Sequence, residues 1–255
     1  MSTSSRFERG QVAVVTGAAR GIGLGIARHL GQQGLAVGLL DRDGNTLDEA
    51  VAGLAAEGIS AIGAVVDLTE SKAVDAAIAD LTTKAGPIQY LVNNAGAVRD
   101  MRFLKMTDED WDLVINTNLR SQFLCCRAVL SGMVERQFGR IVNISSRAWL
   151  GGFGQANYSA AKGAVVSLTR SLAIEFAAKG VTVNTVAPGI VDTPLFRNFA
   201  PDVQARLKES VPVRRIGTAE DIAQAVAFFL DPRSSYVTGQ TLYVCGGRSL
   251  SSPSV

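Results

Sequence analysis

The most informative segment of this sequence is residues 12–23, VAVVTGAARGIG. The apolar, β-branched run Val12–Thr16 is typical of a strand that is buried on both faces. A helical pattern, Gly21–Gln33, begins after only a short turn. A strand, a glycine-rich turn and a helix in this order predict the first unit of a parallel α/β sheet.

Three glycines in this turn have separate physical reasons. Gly17 permits a tight turn, Gly21 allows a close approach to the backbone, and Gly23 allows the helix to pack on the sheet. Backbone N–H groups and a helix N-terminus can then meet a pyrophosphate without obstruction from side chains. The turn therefore predicts a dinucleotide site, to which Arg20 and Ile22 also belong.

The same alternation of short apolar runs and longer amphipathic stretches continues along the chain. The other predicted strands are Ala36–Leu40, Ala61–Val66, Tyr90–Asn93, Arg140–Ser145, Val181–Ala187 and Thr241–Val244. The other predicted helices are Asn45–Glu57, Ser71–Lys84, Thr107–Val134, Asn157–Ala178 and Thr218–Leu230. We predict an α/β fold of one domain, 1–255: a doubly wound parallel sheet of the Rossmann type, with about seven strands and helices on both faces.

One irregular insertion, Gly189–Val213, lies between the sixth strand and the last helix. It contains three prolines and a short helical pattern near Asp202–Ser210. Connections of this length inside a compact domain are uncommon and often functional. We interpret it as a substrate lid, and a plain connecting excursion is the alternative.

Composition narrows the classes of function. The 255 residues are 47% hydrophobic and carry a formal net charge of +2, so no nucleic-acid or membrane partner is expected. The polar N-terminus has no apolar signal core, and three cysteines without metal-ligand spacing fit a reducing cytoplasm. With His29 the only histidine, histidine-based triads and metal sites are not expected.

Asp41 follows the second strand and bears on the choice of cofactor. An acidic group at this position can accept hydrogen bonds from the adenosine ribose, and it repels a 2′-phosphate. Arg20 and Arg42 act in the opposite direction, because either could pair with that phosphate. We predict NAD, with NADP less favoured.

Tyr158 and Lys162 lie four residues apart on a predicted helix and so share a face. A nearby ammonium lowers the pKa of a phenol from about 10, which makes Tyr158 a credible general acid/base for an alcohol proton. Ser145 ends a strand, and its hydroxyl can bind a carbonyl oxygen. Ser146 is the competing serine, and the spacing to Tyr158 favours Ser145.

Several motifs occur together and in order. They are the Thr16–Gly23 turn, Asp67, Asn93–Gly96, Asn118, Ser145, Tyr158, Lys162, Pro188–Gly189 and Thr193–Pro194. This set resembles the short-chain dehydrogenase/reductase family over roughly Gln11 to Gly247. The resemblance implies an enzyme that interconverts a small-molecule secondary alcohol and a ketone by hydride transfer.

The resemblance also implies roles for individual positions. Tyr158 would be the acid/base, Ser145 would orient the substrate oxygen, and Lys162 would bind the nicotinamide ribose and tune Tyr158. Asn118 would hold a water in a proton relay, and an amide in a helical stretch can disturb the backbone enough to admit one. The remaining cofactor contacts would come from Asp67 at the adenine, Asn94 and Gly96 on the adenosine side, Gly189 and Thr193 at the carboxamide, and Leu68, Ala95, Pro188 and Val191.

Two other functions compete with this interpretation. The segment Gly154–Tyr158 resembles 3-oxoacyl-carrier-protein reductases, in which Arg136 and Lys179 would belong to a docking patch, although those enzymes usually use NADPH. A dinucleotide sensor without chemistry is a remote alternative. Trp149, Leu150 and Phe153 are candidates for the substrate wall. The resemblance further suggests a homotetramer built on the two longest predicted helices.

Overall fold

The computed structural model describes residues 6–250 and contains one seven-stranded, wholly parallel sheet. The first and last five residues of the predicted domain lie outside the described part of the chain. The strands are β1 Val12–Thr16, β2 Ala36–Asp41, β3 Ala61–Val65, β4 Ile88–Asn93, β5 Gly139–Ile144, β6 Val181–Pro188 and β7 Thr241–Val244. Their order is β3-β2-β1-β4-β5-β6-β7, which confirms the predicted doubly wound sheet.

Helices connect the strands and cover both faces of the sheet. They are α1 Gly21–Gln32, α2 Gly44–Ala56, α3 Ser71–Ala85, α4 Asp108–Ile115, α5 Ser121–Glu135, α6 Ala156–Phe176, α7 Pro194–Arg197, α8 Pro201–Glu209 and α9 Ala219–Leu230. Two clusters of buried apolar side chains, one on each face, form the core. Continuous apolar strands bury both faces, as parallel sheets require.

The strand order reverses between β1 and β4, and this positions the site. β1 pairs with β2 on one side and with β4 on the other. The connections that leave the carboxyl ends of β1 and β4 therefore diverge and open a crevice. Ligands bind in such crevices in open α/β sheets.

The single helix predicted over Thr107–Val134 is wrong in one respect. The structure divides this stretch into α4, a π-helical turn over Asn116–Arg120, and α5. The Asn118 side chain donates hydrogen bonds to the backbone oxygens of Val114 and Ala97, at 2.9 and 2.7 Å. Because the Asn118 amide donates to the Val114 carbonyl oxygen, which lies in the preceding turn, the backbone hydrogen bonds there change locally from the α-helical to the π-helical pattern.

The insertion 189–213 contains the short helices α7 and α8. Its end is tied to the turn after β7, where the Val213 backbone N–H donates to the Gly246 oxygen at 3.2 Å. Across residues 6–250, the helices are too short or too polar to traverse a bilayer.

Candidate active site

The turn after β1 is shaped to admit a phosphate group. Gly17 has a φ of +61°, and a Cβ there would lie 2.8 Å from the Cα of Ala95. A Cβ on Gly23 would overlap the backbone oxygen of Gly17. Gly21 also has a positive φ, and a Cβ there would meet only Thr193 and Pro194, at 3.8 and 3.9 Å. The backbone around Gly21 is therefore accessible to a ligand. The absence of a side chain at Gly17 and Gly23 lets the turn pack closely against Ala95 and against its own backbone.

The loop after β4 is fastened to this turn. The Thr16 hydroxyl accepts hydrogen bonds from the backbone N–H groups of Asn94 and Ala95, at 2.9 and 3.0 Å. The Asn94 amide donates to the backbone oxygens of Thr16 and Gly17, both at 3.0 Å. Asn94 thus joins the two loops that diverge at the point where the strand order reverses.

A cavity of about 330 Å³ lies in the crevice between these loops. Most of the predicted adenosine-side residues line it, as does Thr69. The lining includes Gly17, Arg20, Asp41, Arg42, Asp67, Leu68, Asn94, Ala95 and Gly96. Ile22 instead packs from α1 against the apolar core. The cavity and the glycine cradle fit a dinucleotide.

Asp41 is fixed within this cavity as the last residue of β2. Its carboxylate accepts hydrogen bonds from the backbone N–H groups of Ala19, at 3.1 Å, and Asp43, at 3.2 Å. Arg20 lies 3.7 Å from the Asp43 carboxylate. Because Asp43 partly neutralises Arg20, that guanidinium is less available for a 2′-phosphate than the sequence suggests.

Asp67 closes a turn after β3. Its carboxylate accepts hydrogen bonds from the backbone N–H and the hydroxyl of Thr69, at 2.9 and 2.7 Å. These bonds hold the pKa of Asp67 below its usual range. The residue is exposed at the rim of the cavity, where a carboxylate can meet an adenine amine.

Lys162 lies on α6, one turn after Tyr158, and is deeply buried. Its Nζ donates to the Ile144 backbone oxygen at 2.9 Å and lies 5.6 Å from the centre of the Tyr158 ring. Burial lowers the pKa of Lys162 to about 7. The amine can therefore be charged or neutral near neutral pH.

The Tyr158 phenol is desolvated, and this raises its pKa above the usual range. A hydrogen bond with Ser146 acts in the opposite direction, and the charge of Asp100 adds to the rise. The expectation that Lys162 lowers the phenol pKa is wrong for this structure. The physical reason is that desolvation is the largest influence on the pKa of the phenol, and Lys162 is not among the groups that shift it.

The two candidate serines have different surroundings in the structure. The Ser145 hydroxyl is buried and donates to the Lys162 backbone oxygen at 2.7 Å, so it points into α6. Ser146 is half-buried, caps a short helical turn through the Ala148 N–H, and hydrogen-bonds the Tyr158 phenol. Successive residues of an extended chain face opposite sides. The geometry therefore favours Ser146 over Ser145, the serine that the residue spacing predicts, as the candidate for contact with a substrate oxygen.

Asn118 approaches the same group from the π-helical turn. It is fully buried, and its Oδ1 has no hydrogen-bond partner among the described residues. A Cβ on Gly96 would lie 2.6 Å from this oxygen and 3.5 Å from the Lys162 Nζ. A buried acceptor beside a buried amine is suited to a water molecule or a ligand hydroxyl.

The residues expected at the nicotinamide lie at the end of β6 and beyond it. Pro188 is the last residue of β6. A Cβ on Gly189 would lie 2.8 Å from the Cα of Cys245, so this glycine packs against the turn after β7. Val191 forms an isolated parallel β-bridge with Gly217. The Thr193 side chain accepts a hydrogen bond from the Phe196 N–H at 3.3 Å and so caps the start of α7.

Sequence reasoning missed Asn157, which anchors the start of α6. Its buried amide donates to the backbone oxygens of Arg99 and Asp110, both at 3.1 Å, and its Oδ1 accepts from the Tyr158 N–H at 2.8 Å. Its partners lie far away in the chain. Because asparagine is common at helix starts, its position in the sequence gave no signal of this role.

The predicted docking and wall residues have ordinary local contacts. Arg136 donates to the Ile88 backbone oxygen at 2.9 Å, and Lys179 lies over the Phe176 ring at 4.9 Å. Trp149 stacks on Tyr243, and Phe153 is highly exposed. The structure places none of these four against Tyr158.

Comparison with known proteins points the same way. A family model described as enoyl-(acyl carrier protein) reductase matches residues 17–249. The chain is 45% identical over 240 residues to the (2S)-((R)-hydroxy(phenyl)methyl)succinyl-CoA dehydrogenase subunit BbsD of Thauera aromatica, covering 94% of this chain and 97% of the relative. It is 40% identical over 241 residues to the 3-oxoacyl-acyl-carrier-protein reductase FabG of Vibrio harveyi, covering 93% and 97%. The solved structure of gox2181 superposes with a TM-score of 0.93 at 31% identity, covering 97% of this chain and 98% of the other.

Proposed function

The chain belongs to the short-chain dehydrogenase/reductase family of oxidoreductases, and from this membership we propose that it interconverts a secondary alcohol and a ketone with NAD as the cofactor. The observation that carries the proposal is the geometry of α6, which places the buried Lys162 amine 5.6 Å from the centre of the Tyr158 ring, with Ser146 close enough to the phenol to act on its pKa. These groups lie at the carboxyl edge of the sheet, where ligands bind in this fold.

The glycine cradle and the crevice would hold the cofactor. The N–H groups of the turn after Gly17 bind the pyrophosphate, and the Asp41 carboxylate accepts from the adenosine ribose. Asp67 meets the adenine, and Lys162 donates to the nicotinamide ribose. When the cofactor is bound, its nicotinamide ring would be the hydride donor or acceptor.

Ser146 and Tyr158 have separate roles at the substrate oxygen. During ketone reduction, the Ser146 hydroxyl holds the carbonyl oxygen and Tyr158 donates its phenolic proton to it. During alcohol oxidation, Tyr158 accepts that proton. Lys162 lies behind the phenol and stabilises the phenolate when its amine is charged. The Asn118 Oδ1, which has no hydrogen-bond partner among the described residues, accepts a hydrogen bond from a water molecule. That water relays the proton between the site and solvent.

The preference for NAD rests on the environment of Asp41. A 2′-phosphate would lie against a carboxylate that two backbone N–H groups hold in place. Moving that carboxylate away would break both bonds, so the repulsion is not easily relieved. Arg42 remains as an opposing charge in the cavity lining.

A 3-oxoacyl thioester reductase is the second candidate function. It is favoured by the named activities of the relatives, which act on a CoA thioester and on a carrier-protein thioester. In this chain Arg136 contributes to the fold through Ile88, so a docking role would need its remaining donors. Comparing turnover of acetoacetyl-CoA with that of simple ketones, using NADH and then NADPH, separates the two candidates.

Assembly as a homotetramer is part of the proposal. An apolar groove of about 420 Å³ runs between α5 and α6 and is lined by residues such as Phe123, Leu130 and Phe176. A second copy of the same face would cover it. Light scattering should then give four times the 26.8 kDa chain mass. The free thiols of Cys125, Cys126 and Cys245 support a reducing, cytoplasmic location.

The test of the function is a screen of ketones and secondary alcohols that follows NADH absorbance in both directions. Turnover that depends on Tyr158 supports the proposal. Tight nucleotide binding with no turnover of any substrate, with either cofactor, would favour the remote alternative of a dinucleotide sensor.

A further inference from the structure

Asn157 directly precedes Tyr158 and is fully buried in the first turn of α6. Its amide donates to the backbone oxygens of Arg99 and Asp110, and its Oδ1 accepts from the Tyr158 N–H at 2.8 Å. The first four N–H groups of a helix have no partner within that helix, and the N-cap residue Gln155 supplies no side-chain cap. Asn157 therefore satisfies the backbone of Tyr158 and holds two distant segments against it.

The loop after β4 is fastened to the start of α6 at successive residues. The bonds run from the Asn157 amide to the Arg99 oxygen at 3.1 Å, from the Gln155 amide to the Asp100 carboxylate at 3.0 Å, and from the Met101 N–H to the Gly154 oxygen at 2.8 Å. Asn157 is the fully buried side chain among them. A hydrogen bond made in such surroundings is stronger than one made in water.

The other end of this loop is held independently at the cofactor crevice. The Thr16 hydroxyl accepts from the N–H groups of Asn94 and Ala95. Loss of the Asn157 amide would therefore release residues 99–101 and leave the cofactor end of the loop in place. The effect of such a change is expected at Tyr158 and not at the nucleotide.

The loop carries a charge that acts on the Tyr158 phenol. Desolvation raises the pKa of the phenol most, the Asp100 carboxylate raises it further, and Ser146 acts in the opposite direction. Neighbouring elements also contribute the Lys162 amine, 5.6 Å from the ring centre, and the Arg99–Asp110 ion pair, 3.6 Å apart. Release of the loop would admit water and move Asp100 away, so the pKa of Tyr158 would fall.

We propose that Asn157 is a positioning residue for Tyr158, because it holds the loop after β4 against the first turn of α6 and so fixes where the phenol lies. The inference rests on the proposed function, in which Tyr158 exchanges a proton with the substrate oxygen. Asn157 acts through Tyr158 and does not touch the reacting atoms. A displacement of about 1 Å at a reacting group can cost about 100-fold in rate.

The pH dependence of alcohol oxidation tests this role, since Tyr158 accepts the proton in that direction. Asn157→Ala should lower kcat by about 10- to 100-fold. The rise of kcat/KM with pH should move to lower pH, because the pKa of the phenol falls. The Kd for NADH should stay within about threefold of the wild-type value, because the glycine turn is unchanged.

Asn184→Ala is the matched control. Asn184 is also fully buried, in the middle of β6, where its amide donates to the Val237 oxygen at 2.8 Å and its Oδ1 accepts from the Gln240 N–H at 3.0 Å. Both variants should lower the free energy of unfolding, but Asn184→Ala should leave the pH profile unchanged. A fall in kcat without a shift of the profile in Asn157→Ala would indicate a merely structural role and overturn the proposal.

Gln155→Ala is a milder second variant. It removes the bond to Asp100 and leaves the carbonyl oxygens of Arg99 and Asp110 paired with Asn157. The pH profile should shift in the same direction, by less than in Asn157→Ala. If Asn157→Ala does not fold, this variant decides: a shift to lower pH supports the proposal, and an unchanged profile overturns it.

A titration of the ultraviolet absorbance of tyrosinate tests the placement of the phenol without turnover. Each protein is compared with the same protein carrying Tyr158→Phe, so the signals of the other tyrosines cancel. A lower midpoint for Tyr158 in Asn157→Ala supports the positioning role, even if no alcohol is oxidised and the proposed function fails. An unchanged midpoint overturns it, while turnover that depends on Tyr158 would still support the proposed function.

Discussion

The Ser145 hydroxyl donates a 2.7 Å hydrogen bond to the backbone oxygen of Lys162. This bond ties the end of β5 to the helix that carries Tyr158, and it turns Ser145 away from the phenol. The neighbouring Ser146 is the serine that reaches Tyr158. Two adjacent and chemically identical residues therefore have different surroundings: Ser145 ties β5 to α6, and we propose that Ser146 faces the substrate.

The serine pair gives the first prediction. Ser146→Ala should lower kcat by about 100-fold or more, because it removes the donor to the substrate oxygen. Ser145→Ala should lower the free energy of unfolding by about 1 kcal/mol and reduce kcat much less. Steady-state kinetics and urea denaturation of both variants measure these effects. The opposite order of kcat losses would restore Ser145 as the reacting serine.

A second prediction concerns Asp41. Asp41→Ala should reduce the preference for NAD over NADP, expressed as a ratio of kcat/KM values, by at least about tenfold, because a close carboxylate repels the 2′-phosphate by roughly 1–4 kcal/mol. Asp48→Ala removes the same charge from the exposed face of α2 and serves as the control. A ratio that is equal in the wild type and Asp41→Ala would exclude this role.

A third prediction concerns the turn after β1. Gly17→Ala should weaken NADH binding by about tenfold or more, since a Cβ at positive φ would approach Ala95 at 2.8 Å and displace the turn. Fluorescence titration of NADH measures the Kd. Gly53→Ala, in the exposed interior of α2 with open space at its Cβ, should leave the Kd unchanged and stabilise the fold by about 0.5–1 kcal/mol. Unaltered binding in Gly17→Ala would contradict the cradle.

A fourth prediction concerns the stability of the cofactor-free protein. The pKa of Lys162 falls from 10.5 to about 7 on folding, because burial disfavours the charged amine. Between these values the unfolded chain binds more protons than the folded one, so the contribution of Lys162 to stability rises with pH. Its destabilising effect is complete below about pH 7 and fades as the pH rises towards 10.5.

Denaturation of wild type and Lys162→Met at pH 6 and pH 10 isolates this effect. Relative to the wild type, Lys162→Met should be more stable at pH 6 than at pH 10, by about 3–5 kcal/mol. A difference between the two proteins that does not change with pH would mean that the Lys162 amine is not desolvated.

The sheet and most helices were predictable because their signals are local. Buried parallel strands appear as apolar runs, and Gly17 marks the first turn without information from elsewhere in the chain. The predicted β1 and β7 have the observed bounds. Local signals also located the cavity residues, because they follow the strands that end at the crevice.

The features that the sequence did not predict depend on distant contacts. The side that Ser145 faces is set by the Lys162 oxygen, 17 residues away. The π-helical turn depends on a bond from Asn118 to Ala97, across 21 residues. The pKa of Tyr158 depends on how much protein surrounds the phenol. None of these quantities is encoded in a local spacing.

The role of Tyr158 as proton donor is tested most directly by the rates of NADH-dependent ketone reduction by wild type and by Tyr158→Phe. Tyr158→Phe should lose turnover by about 1,000-fold or more, because the phenol is the group that we place in position to donate the proton to the substrate oxygen. Its Kd for NADH should stay within about threefold of the wild-type value, since binding rests on the glycine turn and Asp41. Retention of most of the wild-type rate by Tyr158→Phe would contradict this role.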